Sequence, residues 1–147
     1  MHITERTDIG LRLLLYLSVH EGRASVGVVA NAFRVSEAHL GKVAQALAKA
    51  GFVATVPGRT GGVQLARSPK DIRVGDVVRA LEPMELVECF GDENGCPVVG
   101  VCGLQPALGA ARAAFLDVLD GVTLAEAATE RAGLRERLAR PRAARRG

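Results

Sequence analysis

The chain has 147 residues, 48% of them hydrophobic and only 3% aromatic, with three cysteines and a formal net charge of +3. This length suits one compact domain with an extension, and its densest apolar run, Leu13–Leu17, is too short to span a membrane. An odd number of cysteines without a secretory leader argues against a disulfide framework, so we expect a cytoplasmic protein.

Charge is distributed unevenly along the chain. Residues 1–80 hold 11 Lys and Arg against 6 Asp and Glu, residues 81–130 hold 1 against 9, and residues 131–147 hold 7 against 1. A basic first half can approach a polyphosphate, whereas an acidic middle is repelled by one. Any nucleic acid is therefore expected to bind the N-terminal half.

The N-terminal half begins with three predicted helices. The first spans about Thr4–Val19 and is apolar on nearly every side, which is typical of a helix buried on more than one face. Ser25 and Ser36 are N-cap residues for helices over 26–33 and 37–50. Only Arg34 and Val35 lie between the first of these helices and the Ser36 cap of the second, which is the short connection of a helix-turn-helix.

A β-hairpin and a further helix are predicted next. The strands Phe52–Val56 and Val63–Ala66 flank the sequence PGRTGG, whose proline and glycines favour a tight turn. Ile72–Leu81 is helical and is followed by a proline. Helix, helix-turn-helix and hairpin in this order predict a winged helix-turn-helix DNA-binding domain over residues 1–82.

The C-terminal half is predicted to hold a loop, a long helix and a tail. Residues 83–103 form a cysteine-bearing loop. Apolar residues at helical spacing predict a dimerisation helix over Gln105–Leu119, and a capping box, Thr123 to Glu126, begins a short helix within residues 104–130. Residues 131–147 are basic and poor in apolar residues, so they are predicted to be disordered. The fold class is thus mainly α with a small β-hairpin.

The candidate DNA contacts lie on the second helix of the helix-turn-helix and at the hairpin tip. The helix offers its N-terminal residues to base edges in the major groove, and the tip is shaped to enter a narrow minor groove. These candidates are Ser36, His39, Lys42, Arg59, Thr60 and Gly61. Helix caps and solvated surface residues are the alternative interpretation, but the basic hairpin directly after the helix-turn-helix favours DNA binding.

All three cysteines fall in one Gly-rich stretch, CFGDENGCPVVGVC, as Cys89, Cys96 and Cys102. Thiolates are the soft ligands of iron–sulfur clusters and zinc. The spacing lacks the closely spaced cysteine pairs of structural zinc sites, the C-x-x-C of thioredoxins and the spacing of ferredoxins. It leaves open an iron–sulfur cluster, an unusual zinc site or a set of metal-free redox thiols.

Several segments together carry a family resemblance. TDIGLRLLLYLS, the helix-turn-helix, PGRTGG, VGDVVRALEP and CFGDENGCPVVGVCGL, in this order, resemble the IscR/NsrR-type iron–sulfur winged-helix transcriptional regulators over roughly residues 1–125. The similarity is greatest to the nitric-oxide-sensing NsrR branch. It implies a homodimeric, non-enzymatic repressor that binds a double-stranded DNA operator and responds to nitric oxide through an iron–sulfur cluster.

The same resemblance implies where a fourth ligand comes from. IscR-type members place a His three residues beyond the last cysteine, as a ligand of a [2Fe–2S] cluster, but Gln105 stands there in this chain. The nitric-oxide-sensing branch implies Asp8, donated by the other subunit, and a [4Fe–4S] cluster, favoured here over [2Fe–2S]. The first two cysteines are spaced more widely than in many relatives. By itself, Asp8 also suits a helix N-terminus and an ion pair with Arg12.

Two other functions stay open. One is a regulator that senses redox state through a [2Fe–2S] cluster or through its thiols. The other, from a different class, is an iron–sulfur carrier or redox protein. The chain has no Gly-rich nucleotide-binding loop, and His2, His20 and His39 are remote in sequence from the cysteines, so the sequence favours a regulator over an enzyme.

Overall fold

The computed structural model describes residues 3–58, 61–92 and 94–139. Within those ranges the chain forms seven α-helices, a two-stranded antiparallel sheet and two short 3-10 turns, Pro69–Asp71 and Glu88–Phe90. The elements are α1 (Glu5–Val19), α2 (Val26–Phe33), α3 (Glu37–Lys49), β1 (Val53–Val56), β2 (Gly62–Leu65), α4 (Val74–Leu81), α5 (Leu104–Asp120), α6 (Leu124–Ala127) and α7 (Arg131–Ala139). The predicted fold class, mainly α with a small hairpin, is confirmed.

Helix α1 lies at the centre of the core. The neighbouring residues Leu13 and Leu14 are both 0% exposed, so the helix is covered on more than one face, as predicted. Its neighbours include α3, α4 and α6 of the same chain. Burial of Leu-, Val- and Ile-sized side chains supplies most of the stabilising free energy of such a core. The other large, fully buried residues are Val19, Val29, Leu40, Val43, Leu47, Val63, Ile72, Val77 and Val78.

The helix-turn-helix is defined by two serine caps and one left-handed residue. Ser25 Oγ accepts the Val28 N–H, and Ser36 Oγ accepts the His39 N–H at 3.0 Å. Between α2 and α3, Arg34 has φ 57° and ψ 43°, a left-handed conformation that costs a residue with a Cβ free energy. The turn therefore holds a side chain where glycine would be less strained.

The wing is the β1–β2 hairpin. Its register runs from Val53 opposite Leu65 to Val56 opposite Gly62, within one residue of the predicted strands. At the turn, a Cβ added to Gly61 would lie 2.2 Å from the Val56 carbonyl oxygen, so only glycine fits there. A bridge between Ala24 and Val63 ties the wing to the segment before α2.

Helix α5 extends one residue beyond the predicted helix at each end and packs mainly against α4. At its C-terminal end, Asp120 accepts two hydrogen bonds from the Arg79 guanidinium of α4, at 2.6 and 2.5 Å. None of its residues is fully buried, and Leu104 and Val118 are 69% and 70% exposed. In the described ranges, no helix combines the length and the apolar character needed to cross a lipid bilayer.

The predicted disorder of the tail is wrong for residues 131–139, which form α7. Two arginines of α7 hold it against α1: Arg131 Nη2 donates to the Ser18 carbonyl at 2.9 Å, and Arg135 Nε donates to the Val19 carbonyl. These carbonyls belong to the last turn of α1, where backbone acceptors lack helical partners and cations are favoured. Leu138 adds an apolar contact to the core. The remaining tail residues, 140–147, lie outside the described ranges.

Candidate functional site

The exposed face of α3 presents most of the predicted DNA contacts in this helix. Ser36 and Lys42 are exposed, and His39 is half-buried. The Ser36 oxygen also serves as the N-cap acceptor, which fixes the start of the helix. Leu40, which lies among these residues in sequence, is 1% exposed and belongs to the core. The polar residues thus lie on one side of α3 and the packing residues on the other.

The wing tip is only partly within the described residues. Gly61 is described, and its N–H donates to the Gly58 carbonyl at 2.8 Å, which closes the turn. Arg59 and Thr60, the two predicted contacts at the tip, lie outside the described ranges, so they stay a prediction.

The three cysteines lie on the segment that joins α4 to α5. Cys89 is the middle residue of the 3-10 turn Glu88–Phe90, and Cys96 begins a turn in which its carbonyl accepts the Val99 N–H. Cys102 lies two residues before α5. All three are free thiols of intermediate exposure. The segment therefore offers three accessible thiols and no disulfide among the described residues.

These thiols are not gathered into a preformed cluster of ligands within one chain. Over residues 3–58, 61–92 and 94–139, no three His, Cys, Asp or Glu side chains are arranged to hold a metal ion. The donor chemistry nevertheless fits an iron–sulfur cluster, because three free thiols on one short segment are the ligands that such clusters take. Gly100, with φ +84°, adds a left-handed bend between Cys96 and Cys102.

Asp8 lies in the first turns of α1 and is paired with Arg12. Arg12 Nε donates to Asp8 Oδ1 at 2.9 Å, and its Nη2 donates to Oδ2 at 2.5 Å. The Asp8 side chain is 47% exposed and borders a shallow pocket of about 320 Å³, which Ile3 and Leu11 also line. Asp8 is therefore a reachable carboxylate beside a small apolar depression.

The start of α1 is tied to the end of α4, just ahead of the cysteine segment. The Thr4 backbone N–H donates to both Glu82 oxygens, at 3.2 and 3.1 Å, and the Thr4 hydroxyl donates to Oε2 at 2.8 Å. Glu82 follows α4 directly. The helix that carries Asp8 and the segment that carries the cysteines are thus joined at one point.

Two polar residues that the sequence analysis did not single out belong to these surfaces. Gln45 is exposed on α3, three residues after Lys42 and therefore on the same face of the helix. Arg112 of α5 contacts the cysteine segment at two places, described below. Helical spacing from Lys42 identifies Gln45 from the sequence, whereas the Arg112 contacts are tertiary and leave no local signal.

Comparison with known proteins gives a consistent result. Residues 3–130 match the family Rrf2, described as an iron-dependent transcriptional regulator. The chain is 43% identical over 142 residues to the HTH-type transcriptional regulator NsrR of Geobacillus kaustophilus, covering 94% of this chain and 97% of that protein. Among solved structures, T. potens IscR superimposes with a TM-score of 0.71 at 28% identity, covering 88% of each chain. CymR, the global cysteine regulator of B. subtilis, gives 0.70 at 29% identity, covering 88% of this chain and 98% of that one.

Proposed function

The chain belongs to the Rrf2 family of transcriptional regulators, and on that premise we propose that it is a homodimeric repressor whose iron–sulfur cluster senses nitric oxide. In this proposal the protein acts in the cytoplasm on a double-stranded DNA operator, and reaction of the cluster with nitric oxide releases the DNA. The family and the similarity to NsrR support a non-enzymatic regulator. The cluster, the signal and the dimer are the parts that the experiments below address.

DNA binding is assigned to α3 and the wing. Helix α3 presents Lys42 and Gln45 on an exposed face, with His39 at its edge and the exposed Ser36 at its N-cap. The second helix of a helix-turn-helix enters the major groove with such a face, and a wing tip follows the adjacent backbone or minor groove. We assign Arg59, Thr60 and Gly61 to the wing contact.

The dimer is assigned to α5. This long helix leaves Leu104 and Val118 largely exposed, and the neighbouring cysteine segment adds Val98, Val99 and Val101. Contiguous exposed apolar residues mark interaction surfaces. A second copy is the proposed occupant, because a repressor of this type reads two half-sites about 34–36 Å apart with its two-fold symmetry.

The cluster is assigned to Cys89, Cys96 and Cys102 of one chain and Asp8 of a second copy. Gln105 is a poor iron ligand at the position where a histidine would complete a [2Fe–2S] site, so [4Fe–4S] is the proposed cluster. When bound, the cluster supplies iron that reacts with nitric oxide. Asp8 is a hard oxygen donor beside three soft thiolates, and Arg12 is placed to hold its carboxylate whenever it is not a ligand.

The single observation that carries the proposal is the set of three free, half-exposed thiols on the segment joining α4 to α5. A structural role would bury them or pair them, since free cysteine is among the most buried residue types. Their place beside both the proposed dimer helix and the winged domain suits a sensor that controls DNA binding.

The test combines spectroscopy with DNA binding. Protein purified without oxygen is expected to show the absorption and Mössbauer spectra of a [4Fe–4S] cluster and to retard operator DNA in a gel. Addition of nitric oxide is expected to change those spectra and to release the DNA. A protein that binds DNA equally with and without the cluster, or that purifies with no iron, contradicts the proposal.

A second candidate is a redox-sensing regulator that uses a [2Fe–2S] cluster or its thiols alone. The observation in its favour is that all three thiols are free and of intermediate exposure, so that an oxidant can reach them. In that case, iron-free protein would bind DNA and an oxidant would release it. An iron–sulfur carrier, in contrast, would transfer its cluster to an acceptor protein and would not retard operator DNA.

A further inference from the structure

One basic side chain of α5 contacts the cysteine segment, which joins α4 to α5. Arg112 is the one Lys or Arg among residues 81–130. Its guanidinium carbon lies 4.6 Å from the centroid of the Phe90 ring, and its Nη1 donates to the Met84 carbonyl at 3.0 Å. One side chain thus contacts the segment at its beginning and again beside the first cysteine.

Helix α5 also lies close to the tip of the Phe90 ring. A Cβ added to Gly109 would lie 3.9 Å from the tip of that ring, so the ring rests close to the helix backbone. Gly109 and Arg112 are three residues apart and share one face of α5. Together they form what we call the seat of Phe90, with Gly109 at the tip of the ring and Arg112 over its face.

The seat acts on Cys89 through a short connection. Cys89 and Phe90 belong to the same 3-10 turn, in which the Phe90 N–H donates to the Val87 carbonyl at 2.9 Å. Fixing the Phe90 ring therefore restricts the position of the adjacent thiol. The later part of the segment is held by weaker turns, such as the Val101 N–H to the Val98 carbonyl at 3.3 Å.

We propose that the seat formed by Gly109 and Arg112 makes Arg112 a positioning residue of the metal centre, which holds Cys89 in place as a ligand. The ligand part of this proposal rests on the proposed function, whereas the anchoring of the segment does not. The seat also joins the cysteine segment to α5, so that a change at Cys89 reaches the proposed dimer helix directly.

The test is labelling of each cysteine in reduced, metal-free protein. Iodoacetamide labelling, read for each cysteine-containing peptide by mass spectrometry, gives the rate at each thiol. In Arg112→Ala, Cys89 is expected to react about two- to fivefold faster, the change in population that loss of one partly exposed cation–π contact produces. Arg112→Lys keeps a cation over the ring and is expected to restore part of the protection.

A matched control exists elsewhere in the chain. Arg67 makes the same pair of contacts at the start of the wing: its guanidinium carbon lies 4.6 Å from the Phe52 ring centroid, and its Nε donates to the Gly51 carbonyl at 3.0 Å. Arg67→Ala removes equivalent interactions far from the cysteines in sequence and is expected to leave Cys89 labelling unchanged. Circular dichroism of each variant checks that the helices are retained.

The possible results distinguish failure of the proposed Arg112 anchoring of Cys89 from failure of the proposed metal centre. Unchanged Cys89 labelling in Arg112→Ala, or an equal increase in Arg67→Ala, overturns the seat. Faster Cys89 labelling together with wild-type protein that takes up no iron supports the seat and refutes the metal centre. If Cys89 labelling is faster in Arg112→Ala and the wild-type protein takes up iron, reconstituted Arg112→Ala is expected to lose iron to a chelator faster than reconstituted Arg67→Ala. Equal rates of iron loss in the two variants overturn the positioning role.

Discussion

At the scale of single residues, Asp8 illustrates how one side chain can serve two purposes. Its pairing with Arg12 is an ordinary i,i+4 ion pair, worth about 0.2–0.5 kcal/mol. Its half-exposed carboxylate beside the Ile3 and Leu11 depression also leaves it accessible to a second chain. The sequence identifies both the pair and the candidate ligand, and in the proposed metal centre Asp8 comes from one chain and the cysteines from the other.

Asp8→Ala is expected to separate these roles. Loss of the ion pair lowers the free energy of unfolding by only about 0.2–0.5 kcal/mol, whereas loss of a ligand alters the spectrum of the reconstituted cluster and the nitric oxide response. Urea unfolding and absorption spectroscopy measure the two effects. Asp71→Ala, which removes an exposed acid from the 3-10 turn before α4, is the control. Unchanged spectra and response in Asp8→Ala would remove Asp8 from the ligand set.

Arg34 carries backbone strain at the turn of the helix-turn-helix, with φ 57°. Arg34→Gly is expected to raise the free energy of unfolding by about 1 kcal/mol relative to Arg34→Ala, because glycine adopts this conformation without a Cβ clash. Comparing the two variants removes the contribution of the side-chain contacts, which both lose. Urea midpoints of equal value for the two variants would show that the turn stores no strain.

At the scale of elements, the helices and the wing were predictable because their signals are local. Ser25, Ser36 and Thr123 cap α2, α3 and α6 as the sequence indicates, and the capping box at Thr123 and Glu126 forms with both hydrogen bonds. Hairpin register followed from the glycine turn. These features depend on residues within a few positions of each other, so one sequence suffices to find them.

Helix α7 and the Arg112 seat were not predictable because they depend on distant partners. Arg131 and Arg135 reach carbonyls 113 and 116 residues earlier in the chain, and Arg112 reaches Met84 across 28 residues. The composition of α7 is too polar for the sequence to predict a helix there. Guanidinium groups that donate to backbone carbonyls stabilise α7, and contacts of this kind leave no periodic pattern in the sequence.

The ion pair between α4 and α5 gives these helices an acid-sensitive contact. The hydrogen bonds from Arg79 hold the pKa of Asp120 below its usual range. Because the folded pKa is the lower one, this stabilisation is present above the unfolded value of about 3.9 and is lost as pH falls through the folded pKa. Asp120→Asn is expected to be less stable than wild type at pH 7, with the difference disappearing in acid.

Thermal unfolding across pH 2–7 measures this effect. Asp71→Asn, which changes an exposed carboxylate in the 3-10 turn before α4, is the control and is expected to run parallel to wild type. If Asp120→Asn is less stable than wild type by the same amount at every pH down to 2, the Arg79–Asp120 pair makes no pH-dependent contribution to stability.

At the scale of the whole molecule, charge divides the chain into a basic N-terminal half, to which we assign DNA binding, and an acidic middle. Residues 81–130 hold 9 Asp and Glu against 1 Lys or Arg, and they include α5 and the cysteine segment. An acidic region next to DNA is repelled by phosphate, which favours one orientation of the dimer on its operator. We therefore expect the proposed sensor and dimer helix to face away from the duplex.

The salt dependence of DNA binding tests whether α3 contacts the DNA phosphates. Lys42→Ala is expected to reduce the slope of log affinity against log salt by about 0.9, the value for one lost phosphate contact. Lys70→Ala removes an equally exposed lysine from the 3-10 turn that packs against α6 and is expected to leave the slope unchanged. Equal slopes for the two variants and wild type would exclude Lys42 from the interface.

The arginines of α7 also determine how the protein can be shortened. The family match ends at residue 130, and α7 begins at Arg131, so a truncation placed at the end of that match would remove the whole helix. Such a fragment would keep every proposed ligand and DNA contact but would leave the last carbonyls of α1 without their guanidinium partners. Crystallisation or biosensor versions of this regulator should therefore retain the chain through Ala139.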